Sequence, residues 1–156
     1  GRRVPVVIGT TSREGAHGME REVINPPDDW GAAFAMDQGH IISGASRTLY
    51  LSGQAAIETD HDAEMGVRIV AEGDMRAQFS HVLAKIDALL EQAGMARSNI
   101  VFLRFYNTDD AAFLEHYDVY ATWIGEAGIT PPQTAIQVAN LAVPGLVIEV
   151  EVVAAD

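Results

Sequence analysis

Two glutamates near the C-terminus, Glu149 and Glu151, stand two residues apart in the valine-rich run 146–154. In a strand that spacing puts both carboxylates on one face, roughly 7 Å apart by strand rise, with Leu146, Ile148, Val150 and Val152 on the other. A carboxylate on a covered face costs free energy unless it is paired or put to use, for example in ordering or activating a water. The alternatives are a wet face or a partner, for which Arg104 on a neighbouring strand is available. The amides of Gln54, Gln133 and Gln137 can orient a ligand but transfer protons poorly near neutral pH, and bonding at turns and sheet edges is their ordinary use. Ser52 ends a strand-like run at Gly53, outside any Gly-x-Ser-x-Gly elbow and with no His or Asp beside it in sequence, so it is a poor hydrolase nucleophile.

The five histidines, His17, His40, His61, His81 and His116, lack His-Glu-x-x-His or His-x-x-x-His spacing, and no metal site is expected. Asp60, His61 and Asp62 read as a polar turn rather than a ligand set. His81 and His116 lie on helices off the apolar stripes, as solvated or hydrogen-bonded residues. No phosphate loop or dinucleotide fingerprint occurs, so no cofactor is expected. Absence of cysteine removes disulfides, thiolate catalysis and thiolate metal ligation.

The chain has 156 residues, 48% of them hydrophobic and 21% charged, which bounds it to one globular domain with a real core. Its formal charge of −12, from 10 basic against 22 acidic residues, argues against nucleic acid as a partner, since phosphate neutralisation needs Lys and Arg. An anionic ligand would need a named local cation. No apolar run approaches a membrane span, so no membrane partner is expected. Arg2 and Arg3 before Val6, Val7 and Ile8 read as an N-terminal strand or arm rather than a signal peptide, and a cytoplasmic location is the default expectation.

The elements that must position these groups follow from periodicity. Residues 9–27 are polar and end in Pro26 and Pro27, as a loop or arm. Alternation of Ala32, Phe34 and Met36 reads as a strand over 30–36, residues 39–46 as turn chemistry, and 49–52 as a further strand of a meander. Asp74 caps a helix whose apolar positions Met75, Phe79, Val82, Leu83, Ile86, Leu89, Leu90 and Ala93 repeat at helical spacing, and Gly94 stands where a left-handed cap belongs. Residues 99–107 read as a strand apolar on both faces except at Arg104, which needs a helix on one side and, it is expected, another subunit on the other. A second helix starts at Asp109 or Asp110 with Phe113, Tyr117, Tyr120 and Ile124 on one face, and Pro131 and Pro132 precede the closing strands 134–141 and 146–154.

In their order and spacing, Leu49-Tyr50-Leu51-Ser52-Gly53-Gln54, the helix carrying Gln78 and Leu89-Leu90-Glu91-Gln92-Ala93-Gly94, and the closing stretch 134–151 resemble the RidA/YjgF (Rid) family, which includes endoribonuclease L-PSP-like proteins. The similarity runs from about Trp30 to the C-terminus, dividing the chain into an N-terminal arm, 1–29, and a RidA/YjgF-like domain, 30–156. It implies an α+β, chorismate-mutase-like fold: a mixed six-stranded β-sheet with two α-helices packed on one face. It also implies a homotrimer with a β-barrel core and three small-molecule pockets between subunits. The activity implied is cofactor-free hydrolysis of imines and enamines.

The family's Pro-x-Arg-[Ser/Thr] pattern, whose arginine grips a substrate carboxylate, is matched here by Pro131, Pro132, Gln133 and Thr134, so the main cation is absent. Loss of a charged partner costs a carboxylate ligand on the order of several kcal/mol. By the same resemblance Glu149 matches the glutamate that positions the attacking water, and Ser52 matches the strand-end serine. Tyr117 stands where Asn is frequent, Ala135 where Cys is frequent, and Trp30 loosely matches an aromatic near the first strand. Arg104 is the candidate replacement cation. These residues imply either a trimer that hydrolyses an imine-like bond through Glu149, with Gln133, Ser52, Trp30, Tyr117 and Arg104 around the ligand, or a non-catalytic ligand-binding or interaction trimer. RNA cleavage is disfavoured by the charge.

Overall fold

The computed structural model describes residues 5–7 and 18–156. The readings of Arg2, Arg3, His17 and residues 9–17 lie outside the described residues. The strands are β1 (Pro5–Val7), β2 (Glu20–Ile24), β3 (Gly39–Ser43), β4 (Thr48–Tyr50), β5 (Gln54–Ala55), β6 (Ile57–Thr59) and β7 (Val67–Ile69), followed by α1 (Met75–Gln92). Then come β8 (Ile100–Asn107), α2 (Asp110–Glu115), α3 (Asp118–Glu126), β9 (Gln133–Gln137) and β10 (Ile148–Ala155).

The main sheet runs β4-β10-β8-β9, antiparallel except for the parallel β8–β9 pair, and β5 also pairs with β10. The expected six strands are five, because β4 and β5 share one edge of β10. Tyr50 faces Val153 while Gln54 faces Val150, so the register slips by one residue and Ser52-Gly53 forms a bulge. Two smaller sheets, β1-β2-β3 and β6-β7, flank it.

Helix α1 begins and ends as its sequence demands: the Asp74 carboxylate accepts from the Ala77 amide at 3.0 Å, and Gly94 adopts φ +71°. Its stripe of Phe79, Val82, Leu83, Ile86 and Leu90 is buried against Leu103, Phe105, Ile148, Val150, Val152 and Ala154. Gln78, fully buried on the same helix, donates to the carbonyls of Val70, Ala71 and Gly145 and accepts from the Val147 amide. One amide therefore ties α1 to the segment entering it and to the turn entering β10. The single second helix expected is two, α2 and α3. Their junction is tightened by bonds reaching three residues back, from Tyr117 to Leu114 and from Tyr120 to Tyr117.

The N-terminal region departs from expectation in three places. Residues 30–36 are not a strand: Asp29 accepts the Gly31 amide at 2.8 Å, and Gly31–Phe34 winds into a 3-10 turn closed by Ala35 at φ +53°. Residues 39–43 are strand rather than turn, and they pair with β2, which lies within the expected loop 9–27. Alternation in β2 is disguised because its inward residue is Arg21, 2% exposed, whose guanidinium donates to the Ser98 and Ile100 carbonyls and bonds the His40 ring. His40 in turn bonds Asp37 at 2.7 Å, and Asp37 also accepts from Thr130 and Asn25.

Gln78→Leu removes a partner from three carbonyls and one amide in a half-buried seam and leaves the Val70 carbonyl and Val147 amide without it, and should cost roughly 2–4 kcal/mol in urea unfolding. A cost below about 1 kcal/mol would show that Gln78 is not the tie described. Burial alone would raise the pKa of Asp37, but hydrogen bonds from His40, Thr130 and Asn25 outweigh it and hold the carboxyl below its ordinary value of 3.8. A depressed folded pKa contributes stability that is fully present above the unfolded value and lost as pH falls through the folded one. Unfolding midpoints followed from about pH 5 down to about pH 3 should therefore fall more steeply for the wild type than for Asp37→Asn.

Candidate functional site

Glu149 leaves β10 on the side away from the helices, level with Tyr106 on β8 and Ala55 on β5. Beside it is the bulge. A Cβ built on Gly53 would stand 2.5 Å from Glu149 Oε2 and 2.8 Å from its carboxyl carbon, so the carboxylate packs directly over the glycine backbone. The chemistry of position 53 is therefore an empty space that Glu149 fills. Ser52 is exposed, and its carbonyl accepts from the Gln54 side-chain Nε2 at 3.0 Å.

On the same outer face, Arg104 reaches Glu151 at 3.4 Å and stacks its guanidinium 4.9 Å from the Phe102 ring centroid. A hydrogen bond from Tyr106 to Glu151, with some desolvation, pushes the Tyr106 phenol above its ordinary range. The partner anticipated for the glutamate pair thus goes to Glu151 and leaves Glu149 to the bulge.

Gln133 lies elsewhere. Register pairs it with the fully buried Leu103, which places its side chain on the helix face, whereas Arg104 and Tyr106 share the outer face with Glu149. Gln133 Nε2 donates to the Tyr117 hydroxyl, which donates to the Phe34 carbonyl at 2.7 Å. Burial pushes the Tyr117 phenol up to about 12, so it stays protonated. An edge-to-face ladder continues outward, with Tyr117 and Phe34 centroids 6.0 Å apart and Phe34 and Trp30 5.9 Å apart, ending at Trp30, which is 62% exposed.

The structure therefore gathers the candidate residues into two groups: Gln133, Tyr117 and Trp30 on one side of the sheet, Glu149, Ser52 and Arg104 on or beside the other. Gln133 and Glu149 are about 10 Å apart along the strands, from three residues of register, and about 10 Å across them, from two strand spacings. Arg104 points away from Gln133 and does not supply the missing cation there. Phe34 and Gly53 are the participants that sequence reasoning missed; Phe34 was legible only as an aromatic in an alternating run, and Gly53 only as a strand end. Gln137, also a sequence candidate, accepts the Asp110 amide at 2.8 Å and so caps α2. His81 bonds Glu58 at 2.6 Å, and the Asp60 carboxylate accepts the Asp62 amide within a turn. Among the described residues no three His, Asp or Glu side chains converge as a metal site, and no helix is long and apolar enough to cross a membrane.

Gly53→Ala forces the Glu149 carboxylate aside and should cost roughly 1–2 kcal/mol of stability, with less than half of that cost in a Glu149→Ala background. Equal costs in the two backgrounds, measured by urea denaturation, would sever the link between the glycine and the carboxylate.

Residues 38–156 match the family model described as endoribonuclease L-PSP. Over 106 residues the chain is 32% identical to a RutC family protein of Aquifex aeolicus, covering 68% of this chain and 78% of that one. A RutC family protein of Pyrococcus horikoshii is 31% identical over 110 residues, 70% of this chain and 80% of that one. The crystal structure of YyfB from Yersinia pestis, described as a Rid family protein of unknown function, is similar with a TM-score of 0.69 and 29% identity. It covers 87% of this chain and 98% of that one, more of this chain than residues 38–156 account for, so the structural match reaches in front of residue 38. A sheet backed by helices on one face and these likenesses agree: the chain belongs to the RidA/YjgF family, the family of the endoribonuclease L-PSP model.

Proposed function

We propose that this protein is a homotrimer that binds a small molecule between subunits and hydrolyses an imine-like or enamine-like bond without a cofactor. The observation that carries the reading is the Glu149 carboxylate, seated over Gly53 at a bulge and left without the cation that Glu151 takes. A carboxylate so placed can accept a proton from water. Water adds to the imine carbon as its proton passes to Glu149. Glu149 returns that proton to the nitrogen to give the carbinolamine, whose C–N bond breaks as the hydroxyl proton also passes to the nitrogen by way of Glu149, so that the amine leaves with both hydrogens of the water and the carbon becomes a carbonyl.

Gln133 would hold the ligand, but on one chain it stands on the opposite sheet face from Glu149. A pocket using both needs residues from two copies, which supports the subunit-interface reading. So does the outer sheet face, where Tyr50, beside Val153 and Phe102, is 77% exposed and Ile136, beside Tyr106, is 43% exposed. Covering such a face with other copies removes apolar surface from water. Residues 1–29 are proposed as an arm that joins the domain 30–156 through the β2–β3 pairing.

A second reading, a trimer that binds ligand without turning it over, is favoured by Gln133 itself, since the residue that would grip a carboxylate substrate is uncharged. Cleavage of RNA is disfavoured by the charge of −12.

Sedimentation velocity should give three times the 16.8 kDa chain mass. Ammonia release from small imines should fall about 100-fold or more in Glu149→Gln. Turnover by that variant as fast as wild type would rule out the water-ordering role, and tight binding without turnover in the wild type would select the second reading.

A further inference from the structure

Tyr106 stands directly opposite Glu149 in the β8–β10 register, and Arg104 stands opposite Glu151. All four side chains lie on the outer face. Tyr106, Glu149 and Glu151 are half-buried and Arg104 is exposed, so a solute reaches the group without moving the fold. The reaction proposed above engages only Glu149. Cross-strand neighbours stand about 5 Å apart at Cβ, however, and a group as small as C=N–H can touch both.

What Tyr106 can offer such a group follows from its own partner. A phenol has one proton and two lone pairs. The Tyr106 hydroxyl is hydrogen-bonded to Glu151, whose carboxylate oxygens accept and do not donate. That bond, with some desolvation, holds the phenol above its ordinary range, so the proton stays in place at neutral pH. The proton is thus committed, and the lone pairs of the oxygen are what remains for a ligand. The cation of the group is committed too: Arg104 reaches Glu151 at 3.4 Å and leans over the Phe102 ring, away from Tyr106 along the strand. Glu149 and Tyr106 therefore face a ligand with acceptors only. Two carboxylates against one guanidinium also leave the group with net negative charge, which a cation offsets and an anion aggravates.

We infer that Tyr106 is a specificity-determining residue for the proposed hydrolysis: its hydroxyl oxygen accepts the N–H of a protonated imine and so holds the imine carbon beside Glu149. The substrate class is an iminium that keeps at least one N–H and carries no carboxylate at this end. An N,N-disubstituted iminium has the charge but no donor for the tyrosine. Protonation also makes the carbon more electrophilic, so the form that is bound is the form that water attacks. The iminium proton remains on nitrogen throughout, the two hydrogens of the water reach it as described above, and the product amine leaves as its ammonium. The inference rests on the hydrolytic reading and deepens it by naming the form of the substrate.

The test sets two cations of similar size against each other: benzamidine, which brings N–H donors, and benzyltrimethylammonium, which brings none. Each is titrated into the full chain and followed by NMR at the backbone amide of Gly53, which packs against Glu149. Wild type should bind benzamidine at least about 10-fold more tightly. Tyr106→Phe keeps the ring and removes the acceptor; it should weaken benzamidine about 10-fold and leave benzyltrimethylammonium within about 3-fold. In ammonia release from small imines the same variant should raise KM about 10-fold with kcat within about 3-fold, a split that a merely structural tyrosine does not produce. Its urea midpoint checks that the fold is kept. Equal affinity of wild type for the two cations, or Tyr106→Phe with unchanged benzamidine affinity and KM, overturns the inference. Two failures are told apart by Glu149→Gln. If wild type releases ammonia and only Glu149→Gln abolishes it, hydrolysis stands and the role of Tyr106 falls. If no imine is turned over and Tyr106→Phe still loses benzamidine selectively, hydrolysis falls and the acceptor at Tyr106 stands.

Discussion

Period-two alternation along β10 sends Ile148, Val150, Val152 and Ala154 toward the helices and Glu149, Glu151 and Val153 to the opposite side. Every larger feature hangs on that strand. Its inner residues are fully or almost fully buried beneath α1, while β8 takes one edge and β4 and β5 divide the other. Because the edge is divided, the register must slip, and the slip puts a glycine under the carboxylate of Glu149. Strand pairing, rather than a dedicated binding loop, thus creates the one place where that side chain fits.

The same alternation separates the candidate site into halves. A side chain on the helix face of β9 and one on the outer face of β10 cannot converge within a single sheet, whatever their rotamers, because the backbone layer lies between them. Joining Gln133 to Glu149 therefore requires a neighbouring copy, and the bare outer face is where apolar surface would reward one. Folding, assembly and binding are in this sense one problem. In the proposed trimer, substitutions on the outer face would act on subunit contact and pocket together, whereas a change at Gln78 acts on the fold of each copy.

How much of this was legible in sequence depended on whether one residue's type announced its direction. Helix α1 was readable from end to end because Asp74, the apolar stripe and Gly94 each act locally. Strands β8 and β10 were readable because runs rich in β-branched and aromatic residues have few other uses, even with Arg104 in one and Glu149 and Glu151 in the other. Strand β2 was not, since an inward arginine breaks the apolar alternation and only the Ser98 and Ile100 carbonyls, more than seventy residues away, explain it. The turn Gly31–Phe34 imitated a strand because Ala32, Phe34 and Met36 alternate, and its cause, the Asp29 cap on Gly31, is a local bond that alternation does not report. At the site, the absent arginine and the strand-end glycine were visible as residue types. That Arg104 turns to Glu151, and that Gln133 is oriented by Tyr117, are facts of register and of hydrogen-bond direction, which depend on partners distant in sequence.

Charge closes the argument about what such a site can hold. Of the seven described Lys and Arg side chains, six are hydrogen-bonded or ion-paired. Arg21 and Lys85 donate to backbone carbonyls, Arg47 pairs with Asp156 and Arg76 with Asp118, and Arg97 bridges Asp87 and Glu126 beside the Trp123 ring. Arg104 holds Glu151, and Arg68 stands opposite Glu58 in the β6–β7 register. To free any of those six for an anionic ligand would strand a carboxylate or a carbonyl in exchange, and the formal charge of −12 opposes the anion before it arrives. A ligand that brings donors or positive charge meets neither obstacle. The uncharged residue at position 133 and the acidic balance of the chain therefore oppose an anion in the same direction, although one acts locally and the other over the whole surface.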